Sequence, residues 1–235
     1  MINDNQSQTG AATFVPHSVI MFRRMTARIL LLALLTLTFA LPARAHPHVW
    51  VTMKSEVLYA PDGTVTGIRH AWAFDDMFSV FATQGLESKE KGQFTREELA
   101  PLAKVNIESL KEYDYFTYAT ADGKKTEMTD PLPDYWLDFK DSVLTLNFTI
   151  PFKTPVKAKE LKVDIYDPTI FVDFSFDKKS PVKLVGTTQC KLDIALPREM
   201  TFAEGKKLSE IPADQPNTSM AWGAQFANKI LVHCP

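Results

Sequence analysis

Along residues 48–59 two kinds of side chain alternate. Val49, Val51, Met53, Ser55, Val57 and Tyr59 fall on one side, and His48, Trp50, Thr52, Lys54 and Glu56 on the other. That is the period of a half-buried strand. Pro61-Asp62-Gly63-Thr64 supplies turn chemistry, with Gly63 free to take positive φ. A second β-rich stretch follows from Val65 to Phe74, so the pattern predicts a hairpin of unusual length. With the turn centred on Asp62-Gly63, paired residue numbers sum to about 124 or 125. Trp50 then lies opposite Phe74 or Asp75, and His48 opposite Asp76 or Met77.

Helical spacing comes next. Thr95 and Glu98 fit a capping box, and Leu99, Leu102, Ala103, Leu110 and Tyr113 keep the helical period. Pro101 lacks a donor, and is expected to kink or restart this helix. Residues 76–86 fit either a shorter helix or an irregular lid. The centre returns to strand. Leu144, Leu146, Phe148 and Ile150 alternate with polar neighbours, as do Leu161, Val163 and Ile165. After Asp167-Pro168 the pattern resumes with Val172, Phe174 and Phe176, then with short runs at Val182–Val185 and Lys191–Leu196. Residues Pro197–Pro216, with three prolines, a glycine and several charges, read as a loop or linker. A closing helix around Ser219–Lys229 places Trp222 and Phe226 one turn apart and leads into Ile230-Leu231-Val232. The expected fold is α+β, a largely antiparallel β-sheet with a long N-terminal hairpin, one or two inserted helices and a C-terminal helix.

The start of the chain changes how composition should be counted. Ile29 to Leu41 is a 13-residue apolar run, preceded by Arg23, Arg24 and Arg28 and followed by Ala43-Arg44-Ala45. A basic segment, a short apolar run and a small-residue exit make a secretory signal peptide. Thirteen residues fall short of the about 20 that a membrane-spanning helix needs. Met21 or Met25 gives a basic segment of usual length, which marks residues 1–20 as a candidate mis-called start. Cleavage after Ala45 leaves residues 46–235 as a single domain. Removing the four basic residues and one acidic residue of the leader takes 26 and 28 to 22 and 27, a net charge of −5. A mildly acidic exported chain with no basic block is a poor nucleic-acid binder. Cys190 and Cys234, an even pair in an exported protein, are expected to form a disulfide.

Cleavage there also makes His46 the first residue of the mature chain, followed by Pro47 and His48. An N-terminal histidine offers its α-amine, with a pKa of about 8, and its imidazole. His48 adds a third nitrogen on the same side of an extended chain. These donors suit zinc, copper and nickel. Pro47 has no amide proton, so the square-planar mode that recruits successive amide nitrogens is blocked. Other ligands have to come from the fold, and the hairpin brings Asp75 or Asp76 near as an oxygen ligand or as a partner that orients an imidazole. Each residue also has a plainer reading. Asp75 and Asp76 suit a helix cap, Asp167-Pro168 is a common turn pair, and Phe171, Phe174 and Phe176 are simplest as core. His70, by strand parity, is expected to be a hydrogen-bonded sheet histidine, and His233 a packing or surface residue. No protease, hydrolase, nucleotide or dinucleotide motif is present, so nothing asks for an enzyme.

The order of His46-Pro47-His48-Val49-Trp50, then Trp72-Ala73-Phe74-Asp75-Asp76-Met77-Phe78-Ser79, then Tyr166-Asp167-Pro168-Thr169 and Phe171-Val172-Asp173-Phe174 resembles one bacterial family. It is a family of formerly unknown function, labelled an uncharacterised transport-system periplasmic component, and the resemblance extends to the closing Cys234. Its members accompany nickel/cobalt-type permeases, and Zev-type zinc-uptake systems contain such a partner. The resemblance implies His46, His48, Asp75 and Asp167 as metal-site positions, with Asp76 as a substitute. It also implies a periplasmic, non-enzymatic metal carrier for Zn²⁺, with Ni²⁺ and Cu²⁺ as alternatives, that serves an inner-membrane permease. Two other readings remain open at this point. One is a copper carrier using an N-terminal histidine brace completed by His70 or His233. The other is a non-metal binding module of the envelope.

Overall fold

The structure, a computed structural model, describes residues 49–90, 92–186, 189–210 and 220–235, and these belong to one compact unit. The leader and both N-terminal histidines, His46 and His48, lie outside the described residues.

The hairpin forms at the expected register. Strand β1 (Val49–Tyr59) pairs antiparallel with β2 (Val65–Phe74), from Val51 opposite Phe74 to Leu58 opposite Gly67. The Asp62 carboxylate closes the turn by accepting from the Thr64 amide (3.0 Å) and hydroxyl (2.7 Å), and Gly63 takes φ 83°. Residues 76–86, which fit either a helix or a lid, contain helix α1 (Asp76–Thr83). Helix α2 (Arg96–Leu110) starts at the Thr95/Glu98 capping box. It runs through Pro101 as one helix, so it does not restart there. The proline forfeits one hydrogen bond, while burial of Leu99, Ala103 and Ile107 along one face keeps the turns in place.

A 3₁₀ segment (Lys111–Phe116) leads into β3 (Thr117–Ala121), β4 (Lys124–Thr126) and β5 (Trp136–Lys140). There follow β6 (Val143–Val156), β7 (Glu160–Ile165), β8 (Val172–Phe176), β9 (Val182–Val185) and β10 (Lys191–Ala195). The stretch read as a loop, Pro197–Pro216, instead holds helix α3 (Phe202–Ser209). Its cause is a second capping box: Thr201 accepts from the Glu204 amide while Glu204 accepts from the Thr201 amide, and Arg198 pairs with Glu204 at 2.7 Å. The closing helix is shorter than its spacing suggested. It comprises α4 (Met220–Gly223) and a 3₁₀ turn (Ala224–Phe226), because Asn228 already belongs to β11 (Asn228–His233). Trp222 and Phe226 do meet edge to face, at 5.4 Å.

The strands make two sheets, ordered β5-β6-β2-β1-β8 (with β9 also on β1) and β10-β11-β7-β3-β4. All pairs are antiparallel except β1 with β8 and with β9. The alternating apolar faces of both sheets share one core, where Trp72 of the first sheet stands 4.8 Å from Phe148 and 4.9 Å from Phe174. Two polar residues bind the sheets together. Asn228 donates to the Phe174 carbonyl at 2.7 Å, and His70 lies between Ser55 and Thr117. Cys190 and Cys234 form the expected disulfide. Among the described residues no helix is long and apolar enough to cross a membrane.

Candidate functional site at the start of the first strand

The first described residues enter between two carboxylate-built clasps. On one side two hydrogen bonds join Trp50 and Asp75: the Asp75 amide donates to the Trp50 carbonyl, and the Trp50 amide donates to Asp75 Oδ2 of the side chain, both at 2.9 Å. Asp75 Oδ1 accepts from the Phe78 amide at 2.9 Å, which makes the same side chain the N-cap of α1. The plain reading of Asp75 as a cap is therefore correct, and the residue also fixes the strand end. Asp76, in the first turn of α1, is exposed and makes no side-chain hydrogen bond among the described residues.

On the other side the Val49 amide donates to the Phe171 carbonyl at 3.3 Å, and Val49 pairs in parallel register with Val172. The loop there is organised by Asp167, which is 4% exposed. Its Oδ1 accepts from the Thr169 amide (2.7 Å) and hydroxyl (2.8 Å), and its Oδ2 from the amides of Phe171 (3.0 Å) and Val172 (2.9 Å). A carboxylate has about four lone-pair sites, and all are used on the loop. These bonds hold Ile170 at φ 59°, a left-handed conformation costly for a β-branched residue. Phe171, expected in the core, is 42% exposed, whereas Phe174 and Phe176 are buried.

The loop is also braced from behind. A Cβ on Gly223 of α4 would lie 2.7 Å from Pro168 Cα and 2.9 Å from the Asp167 carbonyl. Gly223→Ala is accordingly expected to force α4 and the loop apart and to cost about 1–3 kcal/mol in thermal unfolding. An unchanged melting curve would show that the contact is not tight.

The other histidines lie elsewhere. His70 is in the core, where burial alone pushes its imidazole down to about 3. The Thr117 hydroxyl donates to the Tyr115 carbonyl at 2.8 Å, so its oxygen receives the His70 Nε2 proton (3.3 Å), and Ser55 donates to Nδ1 (2.9 Å). Both ring nitrogens are spent, as expected for a sheet histidine. His233 is half exposed near Glu160, opposite the first residue of β7, whereas Asp167 follows the last. Neither histidine supplies a second imidazole at the strand start. Among the described residues no group of three or more His, Cys, Asp or Glu side chains is gathered to hold a metal ion.

Beside the clasps lies a feature that the periodicity did not announce, a cavity of about 410 Å³. Val49, Val51, Trp72, Phe74 and Phe174 form its sheet wall, and α2 and the 3₁₀ segment contribute Leu110, Tyr113 and Phe116. Only the aromatic content of these segments could have hinted at it.

The fold and this end of it define a two-sheet α+β protein, cross-linked by a disulfide, with a carboxylate-clamped strand start. The chain belongs to the family described as "Protein of unknown function (DUF1007)", whose model matches residues 31–234. It is similar to an uncharacterised 15.5 kDa protein in the trpE 3′ region of Spirochaeta aurantia, 36% identical over 106 residues that cover 45% of this chain and 75% of that one. It is also similar to an uncharacterised protein of Haemophilus influenzae, 22% identical over 205 residues that cover 86% of this chain and 97% of the relative.

Proposed function

We propose that the protein is a non-enzymatic periplasmic metal carrier, with Zn²⁺ as its cargo, that hands metal to an inner-membrane permease of the nickel/cobalt type, as in a Zev-type system. The observation that carries this reading is the clasp on Trp50. His48 is two residues before Trp50, and consecutive Cα atoms are about 3.8 Å apart, which tethers its Cα within about 8 Å of the clamped Trp50 Cα. Cleavage after Ala45 would leave a terminus whose α-amine and two imidazoles lie within four positions in the chain of Trp50, the residue that Asp75 clamps.

Roles follow from the hydrogen bonds. Asp76 has no competing partner among the described residues and supplies an oxygen. Asp75, already holding two amides, positions the strand and can orient an imidazole. Asp167 is saturated and serves by holding the loop. Three nitrogens and one carboxylate, or two nitrogens and two carboxylates, make a four-coordinate zinc set that is open enough for ligand exchange. A copper brace gains no second histidine here from His70 or His233. A permease partner suits the exposed stripe of Met77, Val80 and Phe81, 71%, 60% and 73% accessible, on the same helix as Asp76.

Isothermal titration of Zn²⁺, Ni²⁺ and Cu²⁺ into protein beginning at His46 tests the reading. One tight zinc site is expected. One extra residue before His46, or His48→Ala, should weaken it by roughly a hundredfold, no less than losing an outer-sphere partner costs. Binding no tighter than micromolar for all three metals would overturn it.

A further inference from the structure

The geometry points to a second binding site, independent of the metal reading: the cavity beside the strand start takes an uncharged, largely apolar small molecule that carries a hydrogen-bond acceptor. Its volume, about 410 Å³, is in the range of small-molecule sites.

The walls set the ligand's polarity. Apart from Tyr113, Asp167 is the ionisable residue lining the cavity, and its four acceptor positions are filled by the loop. No lysine or arginine lines the cavity among the described residues, so nothing offers a counter-charge. The polar side chains from α2 are turned to their own helix. Asn106 donates to the Leu102 carbonyl and Ser109 to the Val105 carbonyl, each at 2.9 Å. A charged ligand would lose its hydration without repayment, whereas an aromatic or branched aliphatic one would exchange water for Phe74, Phe116 and Phe174.

Trp72 supplies the demand for an acceptor. It lines the cavity, is 1% exposed, and its indole N–H has no hydrogen-bond partner among the described residues. A buried donor left unpaired costs about 1–3 kcal/mol, which a carbonyl or ether oxygen on a ligand would recover.

The wall facing Trp72 is strained in a manner typical of binding sites. Asp114, Tyr115 and Phe116 take φ of 50°, 52° and 50° in succession, a left-handed turn built without glycine. Each such residue costs on the order of 1–3 kcal/mol and persists only where its surroundings over-determine it. Here Tyr115 donates to Asp130 at 3.0 Å, Tyr118 to the Tyr113 carbonyl at 3.2 Å, and the Tyr166 amide to the Phe116 carbonyl at 3.1 Å. The turn sets Phe116 in the cavity wall, its ring 6.4 Å from that of Trp72.

The test uses 6-propionyl-2-(dimethylamino)naphthalene, an uncharged apolar fluorophore whose ketone oxygen is a hydrogen-bond acceptor, titrated into protein beginning at His46. Saturable one-site fluorescence is expected, together with a shift of the Trp72 indole N–H resonance among the four tryptophans. Ser109 is exposed on α2, so Ser109→Trp should fold and cover the mouth, weakening binding by about tenfold or more. Phe81→Ser, on the exposed face of α1, should bind as the parent does. Non-saturable fluorescence, an unmoved Trp72 resonance, or loss of binding in Phe81→Ser rather than Ser109→Trp would overturn the assignment. The resonance shift decides the matter in unmutated protein should Ser109→Trp fail to fold.

Discussion

Unfolding followed from neutral pH downward is expected to show stability falling from about pH 6.5 and continuing to about pH 3, with His70 as the main source. In the unfolded chain its imidazole takes a proton at the ordinary value near 6.5, whereas burial holds the folded form neutral to about 3. Between those values the unfolded state binds more protons, so stability is complete above the upper value and is lost as pH falls through the window. At roughly 1.4 kcal/mol for each pH unit, the loss is about 2 kcal/mol at pH 5 and approaches about 5 near pH 3. The size comes from the setting. His70 is packed 5.4 Å from Trp72 and 5.3 Å from Phe148, and its nitrogens are joined to two neutral hydroxyls. A proton on Nδ1 would displace the Ser55 donor and place a charge between the sheets. His70→Asn removes the titration. It is expected to be less stable at pH 7, because the amide cannot span Ser55 and Thr117, but much flatter with pH. The carboxylates that titrate in acid are common to both proteins, so the difference in slope isolates the histidine. Equal slopes would refute the account.

That histidine also shows how far the sequence could be read. Parity placed His70 with Ile68, Trp72 and Phe74 on the buried face of β2, and the same alternation, pinned by Asp62-Gly63, set the hairpin register. Neither pattern reveals what crosses the core to meet it. The partner, Thr117, lies on β3, whose Thr-Tyr-Ala-Thr-Ala has too little contrast between faces to announce a strand. β4, Lys-Lys-Thr, has none, and both strands exist because β7 and then β3 offer an edge to pair with. Helix α3 was legible in principle from Thr201 and Glu204, the same spacing that marked α2, but the surrounding prolines outweighed it. At the candidate site the cap at Asp75 and the turn at Asp167 follow from local chemistry. The left-handed turn at 114–116 does not, since only Asp114 of its three residues is of a type that commonly takes this conformation. The cavity depends on the packing of α2 and that turn over the first sheet, a non-local outcome that no period encodes.

Reducing the Cys190–Cys234 bridge, or replacing both residues by serine, is expected to lower the unfolding free energy by about 4 kcal/mol on the loop-entropy model for a separation of 44. For a domain of this size that is a fall in Tm of roughly 8–16 °C. The folded state should change little. β10 and β11 pair with Lys191 opposite His233, so the next step of the ladder already sets Cys190 opposite Cys234. The effect therefore falls on the unfolded chain, which regains the freedom of the 190–234 loop. It should be seen as an earlier urea or thermal transition, with native circular dichroism well below Tm. The Asp167 clasp should stay intact, because β11 meets Glu160 at the bridge end, whereas the clasp follows Ile165 at the other end of β7. A loss below about 1 kcal/mol would mean that the unfolded chain keeps these ends together without the bond. Since about 4 kcal/mol is a large part of the 5–15 kcal/mol that holds a domain folded, the reduced chain is the weaker folder. An oxidising compartment then completes the fold as well as admitting the bond.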